Sequence, residues 1–329
     1  QLPGLIHFRA RWWPELGLRD PILWRIIRLM LPRVAGLGVF SLNFIVMNNI
    51  ASRLGVGSVS ALNWGWRLMQ IPQTLIGTAM GIVIFPTLSA LSEVQDNLGK
   101  RNAMSAALRF VLIATIPSAI GLILIGQPLL SLLEGGAFDA SATALVYNAL
   151  RAFSLGIVVH SMLEIVARSF YADKDTVTPL YAAVAGAIVN VALAYILTGI
   201  AFGEGSVANV WGIALANSLG VLVEVSILLF ILRRRWKDIH ENALLRTTGK
   251  TLAASLVMAV AVLAVEAIFA AVGLAGSTII TITLLGTQII IGGAAFIITS
   301  LLLRMEEISD LFKLIFRRDP TELETVQLS

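Results

Sequence analysis

Eight apolar stretches, each long enough to cross a bilayer and each bounded by short polar loops, constrain this chain more than any other feature. A helix needs about 20 apolar residues to traverse the hydrocarbon core. The pattern predicts spans at roughly 30–52, 60–91, 107–133, 141–171, 177–201, 206–232, 250–273 and 277–303. The fourth span contains Arg151 and Glu164, but its polar flanks, Phe138-Asp139 and Ala172-Asp173-Lys174-Asp175, lie one span apart. Composition supports lipid as the solvent. Hydrophobic residues make up 57% of the chain and charged residues 13%, whereas soluble domains carry about 25% charge. The expected fold is an all-α polytopic membrane protein of about eight transmembrane helices.

The basic residues alternate with the spans. Of 24 Lys and Arg, twenty fall on one side of the membrane and only Arg53 on the other; Arg33, Arg67 and Arg151 lie within spans. The positive-inside rule makes the rich side cytoplasmic and places both termini there. Trp12, Trp13, Trp24, Trp64, Trp66, Trp211 and Trp236 sit near span ends, where amphipathic rings settle. Asp20-Pro21 is a helix-start signal before Ile22, Ile26 and Leu29, and reads as an interfacial helix. A second apolar stripe, Ile308, Leu311, Phe312 and Ile315, closes with Arg317-Arg318. Segment by segment, 1–29 is a cytoplasmic linker with an interfacial helix and 30–235 holds six spans. Residues 250–303 supply two more, and 304–329 form a tail.

Several chemistries are excluded. The chain has no cysteine, so disulfides, thiol nucleophiles and Cys-ligated metals are absent. His7, His160 and His240 are far apart, and no metal-ligand spacing or nucleotide fingerprint appears. No enzyme, cofactor or nucleic-acid partner is expected, because the basic residues sit between apolar stretches and not on one soluble face.

Function in such a chain is sought among its intramembrane polar groups, each of which is costly to bury. In the second span Asn63, Arg67, Gln70 and Thr74 share one helical face. Gly77 and Gly81 continue that stripe as a GxxxG, which permits close packing, and Pro72 is expected to bend the helix. Arg67 is accounted for either by snorkelling to the interface or by a wet cavity. In the first span Arg33, Gly36, Asn43 and Met47 follow roughly helical spacing, and Arg33 lies near enough to the cytoplasmic end to snorkel. The fourth span places Arg151 near mid-depth, and His160, Glu164 and Arg168 follow one another at intervals of four. Glu before Arg is the favourable order for a structural ion pair. Glu224 and Glu266 are lone carboxylates at depth.

The stretch LNFIVMNNIASRLGVGSVSALNWGWRLMQIPQTLIGTAMGIVIFPTLSAL, residues 42–91, resembles the lipid II flippases of the MurJ/MviN family. That family lies within the multidrug/oligosaccharidyl-lipid/polysaccharide exporter superfamily. LLEGGAFDASAT (132–143) and ARSFYADKDTVTP (167–179) resemble its loop motifs after the third and fourth spans. The resemblance implies the carboxy-terminal lobe plus two extra helices of a fourteen-span flippase. An amino-terminal lobe is missing from this chain, and the start at Gln1 reads as a cut. It implies alternating access in the bacterial plasma membrane, with lipid II or a similar polyprenyl-pyrophosphate-linked saccharide as substrate, for peptidoglycan synthesis. Ser60 and Arg67 fall where family members carry functional polar groups, and Gln70 where some carry Glu. Asn63, Asn43 and Arg151 complete the candidate substrate-binding set. Two alternatives stay open: a flippase for another lipid-linked saccharide or a cation-coupled exporter of the superfamily, and a non-transporting membrane scaffold. The fifth span has no acidic residue to hold a coupling sodium ion.

Overall fold

A computed structural model describes residues 20–136, 138–273, 277–305 and 307–308. Trp12, Trp13, Leu311, Phe312 and Ile315 lie outside these residues. Among them, eight helical segments are long and apolar enough to cross a membrane, and none of the ordered elements is a strand. The spans are α1 (Pro21–Ser52), α2 and α3 together (Ser58–Gln73 and Ala79–Glu93), α4 (Asn97–Ser131), α5 (Ala140–Ala172), α6 (Val177–Leu197), α7 (Val210–Trp236), α8 (Glu241–Ala271) and α9 (Thr278–Leu302).

Local sequence sets these boundaries. Asp20 caps α1 by accepting from the Ile22 N–H at 2.8 Å, and Pro21 opens the first turn. The residues expected to form an interfacial helix instead continue into the first span, and the helix runs on through Pro32 although that residue removes one bond from its ladder. In the second span Pro72 is followed at once by a π-helical turn, Thr74–Thr78. Pro72 has no N–H for the carbonyl one turn earlier, and a wider turn accommodates that mismatch.

Packing depends on missing side chains. A Cβ on Gly77 would lie 2.7 Å from the Ser161 Cα of α5, and one on Gly81 would strike the Arg168 guanidinium. The GxxxG stripe is thus the contact between the second span and α5. Gly186 and Gly220 bring α6 and α7 together so closely that an added Cβ on either would sit 2.7–2.8 Å from the other's carbonyl oxygen. Two apolar clusters fill the bundle. One gathers Leu62, Trp66, Phe153 and Ile213, and the other Leu88, Leu108, Phe170 and Leu228. The α8–α9 hairpin leans on α4, where Ile113 meets Met305 and Ile308.

The loops rich in Lys and Arg gather at one end of the bundle, here the basic end. Lys100, almost fully buried, bonds Asp173 at 2.7 Å, and Ser92 donates to the same carboxylate. Arg235 meets Asp175 at 2.6 Å, Arg233 meets Glu241 at 2.8 Å, and Arg109 meets Glu307 at 3.2 Å. These pairs tie the basic ends of the third, fourth, sixth, seventh and eighth spans to one another. Partial burial opposes ionisation of Asp175, but the Thr178 N–H and hydroxyl and the Arg235 guanidinium outweigh it and hold its carboxyl below the ordinary range. This stabilisation is complete above the ordinary Asp range and is lost as pH falls through the lowered pKa.

Two measurements test this architecture. Cysteines at Glu134 and Glu204, both exposed and at the opposite end from the basic loops, should react with an impermeant thiol reagent from outside intact cells. Reaction only after permeabilisation would reverse the topology. Asp173→Asn should lower stability in detergent by roughly 3 kcal/mol, since it strands a buried ammonium. Lys100→Met, which removes that charge, should be milder. Equal thermal unfolding of Asp173→Asn and the parent would mean that the pair holds nothing together.

Candidate functional site

A cavity of about 460 Å³ runs from the α5–α6 loop at the basic end to the middle of the bundle. Its walls are α1, the α2 segment, α5, α6 and α7. It exists because α1 is packed against the rest chiefly through α6, which leaves a gap on its other side. From Pro21 to Val46 no residue of α1 is buried, and Met47 is the first that is.

The floor is polar. Asn190 donates to Asn43 Oδ1 at 3.0 Å, and His160 Nε2 lies 3.1 Å from Asn217 Oδ1. The amides of Asn190 and Asn217 both approach Met47 Sδ, at 3.5 and 3.7 Å. Gln70 joins this floor from α2. Beneath it Trp66 forms an aromatic plug. Its ring centroid is 5.3 Å from Phe153, 5.4 Å from His160, and 6.2 and 6.3 Å from Phe44 and Phe40. Wide enough for small polar groups on one side, the cavity is closed by these rings on the other.

Nearer the basic end the walls carry charge: Arg33 from α1, Glu164 and Arg168 from α5, and Glu224 from α7. Arg168 bonds both the carboxylate and the carbonyl of Glu164, the helical pair expected from their spacing. The Arg33 guanidinium lies over the Tyr171 ring, 5.3 Å from its centroid. Among the described residues Glu224 has neither a hydrogen bond nor an ion pair.

Of the six candidate substrate-binding residues, the structure brings Asn43 and Gln70 into this cavity. Asn63 ties α2 to α1 by donating to Asn48 Oδ1 at 3.0 Å and to the Val59 carbonyl at 2.8 Å. Ser60 is exposed in the first turn of α2. Arg151 is exposed on another side of α5, bonded to Asn148 at 2.6 Å and lying over Tyr147. Arg67 is not in the cavity wall. It is exposed at the edge of the predicted polar face, beside the apolar Trp64 and Ile71, and makes no hydrogen bond or ion pair with any described residue. Snorkelling does not describe Arg33, which turns inward. The clue was its spacing with Gly36, Phe40 and Asn43, all of which line the cavity. On α5 the run His160, Glu164, Arg168 and Tyr171 likewise shares one face. Among the described residues no group of His, Asp or Glu is placed to hold a metal ion.

The sequence and fold have known counterparts. The family described as "Lipid II flippase MurJ" matches residues 1–284. A relative of that name from Burkholderia cenocepacia is 33% identical over 67% of this chain and 43% of its own length. A solved structure, "Lipid II flippase MurJ, inward closed conformation", is 25% identical, with a TM-score of 0.66 over 90% of this chain and 57% of that one. A MATE crystallised in complex with MaD3S shares the fold, at 22% identity and a TM-score of 0.56, over 83% of this chain and 64% of that one. The chain spans about half the length of the MurJ relatives it matches. With eight membrane-crossing segments among its described residues, its one-sided cavity and a sequence match across most of its length, this chain belongs to the MurJ family of lipid II flippases.

Proposed function

We propose that this chain is the carboxy-terminal lobe and extra helix pair of a flippase that carries lipid II across the bacterial plasma membrane. The basic end faces the cytoplasm, and a second, amino-terminal lobe completes the transport path. Arg67 carries this reading. It lies nine residues into α2, about 14 Å from the start of a span about 54 Å long, near the edge of a hydrocarbon core about 30 Å thick. An arginine costs up to roughly 2.5–3.5 kcal/mol at mid-bilayer and less toward its edge, so an exposed, unpaired Arg67 favours a polar neighbour. No described residue of this chain pairs with it. A partner lobe and a wet central path would supply the missing polar surroundings. An anionic cargo gives the arginine its purpose, since guanidinium grips phosphoryl oxygens with forked, charge-assisted bonds.

The shape of the lobe supports alternating access. The cavity opens toward the basic end and is stopped by the Trp66 plug, so this half is closed toward the opposite leaflet. Rocking against the other lobe would reverse the exposure. The chemistry is transport and not bond-making, in keeping with a site of amides, arginines and aromatic rings.

In the full-length parent, Arg67→Ala should reduce lipid II exposure at the outer leaflet roughly 10- to 100-fold, the worth of one hydrogen-bonded charge pair. Arg67→Lys should lose less, because it keeps the charge without the fork. The assay is complementation of a flippase-depleted bacterium, with membrane levels of each variant matched. Wild-type exposure by Arg67→Ala would reduce this arginine to an interfacial anchor. The 329-residue chain alone should fail to complement. Success by it would replace the two-lobe mechanism with transport by a single lobe.

A further inference from the structure

We propose that Arg33 and Tyr171 form a receiving site for a phosphoryl anion at the cytoplasmic mouth of the cavity, with the Tyr171 ring as the resting place of the Arg33 guanidinium. This deepens the lipid II reading and rests on it for the identity of the cargo.

The four charged side chains of the cavity are not equivalent. Arg168 is neutralised by Glu164, and its donors are engaged by that carboxylate and by the carbonyl of its own helix. Arg33 has no carboxylate partner and no hydrogen bond among the described residues. Its one contact is the face of Tyr171, which leaves the guanidinium's N–H donors open to a ligand. The Tyr171 hydroxyl also has no hydrogen-bond partner. It lies within electrostatic reach of Arg33, Arg168, Glu164 and Glu224, so the phenol stands where the charges converge. A cation over this half-buried ring is held by roughly three- to thirtyfold. A forked bond to phosphoryl oxygens comprises two charge-assisted hydrogen bonds, each worth roughly tenfold or more, so about a hundredfold together. An entering pyrophosphate therefore outcompetes the ring for Arg33, while the phenol can donate a second bond. Glu164 neutralises Arg168, so the charge offered to an entering anion is that of Arg33.

The backbone permits this exchange. Pro32, directly before Arg33, lacks the N–H that would close the preceding turn of α1. The basic half of α1 is also unburied along its length. Arg33 thus stands at the weakest point of the least anchored helix, where the side chain can leave Tyr171 without disturbing the core.

The test is calorimetric titration of the 329-residue chain, in neutral detergent, with inorganic pyrophosphate. The parent should show saturable binding, and Arg33→Gln should weaken it at least about tenfold. Arg33→Lys should fall between them, and Arg246→Gln, an exposed arginine remote from the cavity, should match the parent. Thermal unfolding identical to the parent certifies each variant, and the Lys variant carries the test if the Gln variant does not fold. A short polyprenyl pyrophosphate should displace pyrophosphate at lower concentration than phosphatidylglycerol does. Absence of saturable binding, unchanged binding in Arg33→Gln, or displacement by phosphatidylglycerol alone would overturn the site. Failure of the parent to expose lipid II, with Arg33-dependent pyrophosphate binding intact, would strike only the cargo's identity. Normal lipid II exposure with no Arg33 dependence would strike only this site.

Discussion

Hydrocarbon offers no hydrogen bonds, and the rest of this structure follows from that. Every backbone amide in a span must be satisfied by its own helix, so the chain becomes a set of rods joined by short turns. Between rods in lipid, association cannot draw on the hydrophobic effect as it does in water, and close van der Waals approach takes its place. Gly77 and Gly81 against α5, and Gly186 against Gly220, are among the points where this approach is closest. Where such contacts are missing, along the basic half of α1, a gap opens. That gap is the cavity.

Polar side chains then sort by the solvent each can find. At the basic end the cations pair with carboxylates from neighbouring loops and fasten the bundle where water begins. In the cavity they bond one another, as Arg168 does with Glu164 and Asn190 with Asn43. Among the described residues Arg33 and Arg67 have no charged partner. Their solitude points the same way, since an arginine kept in a span without a counterion is most readily understood as one whose counterion arrives from elsewhere.

Much of this was legible in the residues. Span number follows from hydropathy, because twenty apolar residues in a row have few other uses, and the Asp20 cap, the GxxxG contact and the Glu164–Arg168 pair follow from spacing along a single helix. The segment after Asp20-Pro21 was harder, since an amphipathic start and a continuous helix carry the same local signals. Harder still was the site. Periodicity places Arg67 and Gln70 on one face of α2, but only the position of α1 separates them, with Gln70 in the cavity and Arg67 outside it. Arg33 was misread for a related reason. Depth along a helix is readable from sequence, but azimuth toward a gap is set by which neighbour fails to pack. The meeting of Arg33 with Tyr171 joins residues more than a hundred positions apart, and no local pattern encodes it.

The α8–α9 hairpin meets the bundle chiefly through α4, apart from the ion pairs at the basic end. A chain inserted from its amino end completes α4 and the helices around it before α8 leaves the ribosome. The hairpin then docks on a surface already formed, as an addition to a finished lobe and not as a member of its nucleus. Lineages could lengthen, shed or resurface such a module without reopening the core, and so adapt one ancient bundle to membranes of different thickness.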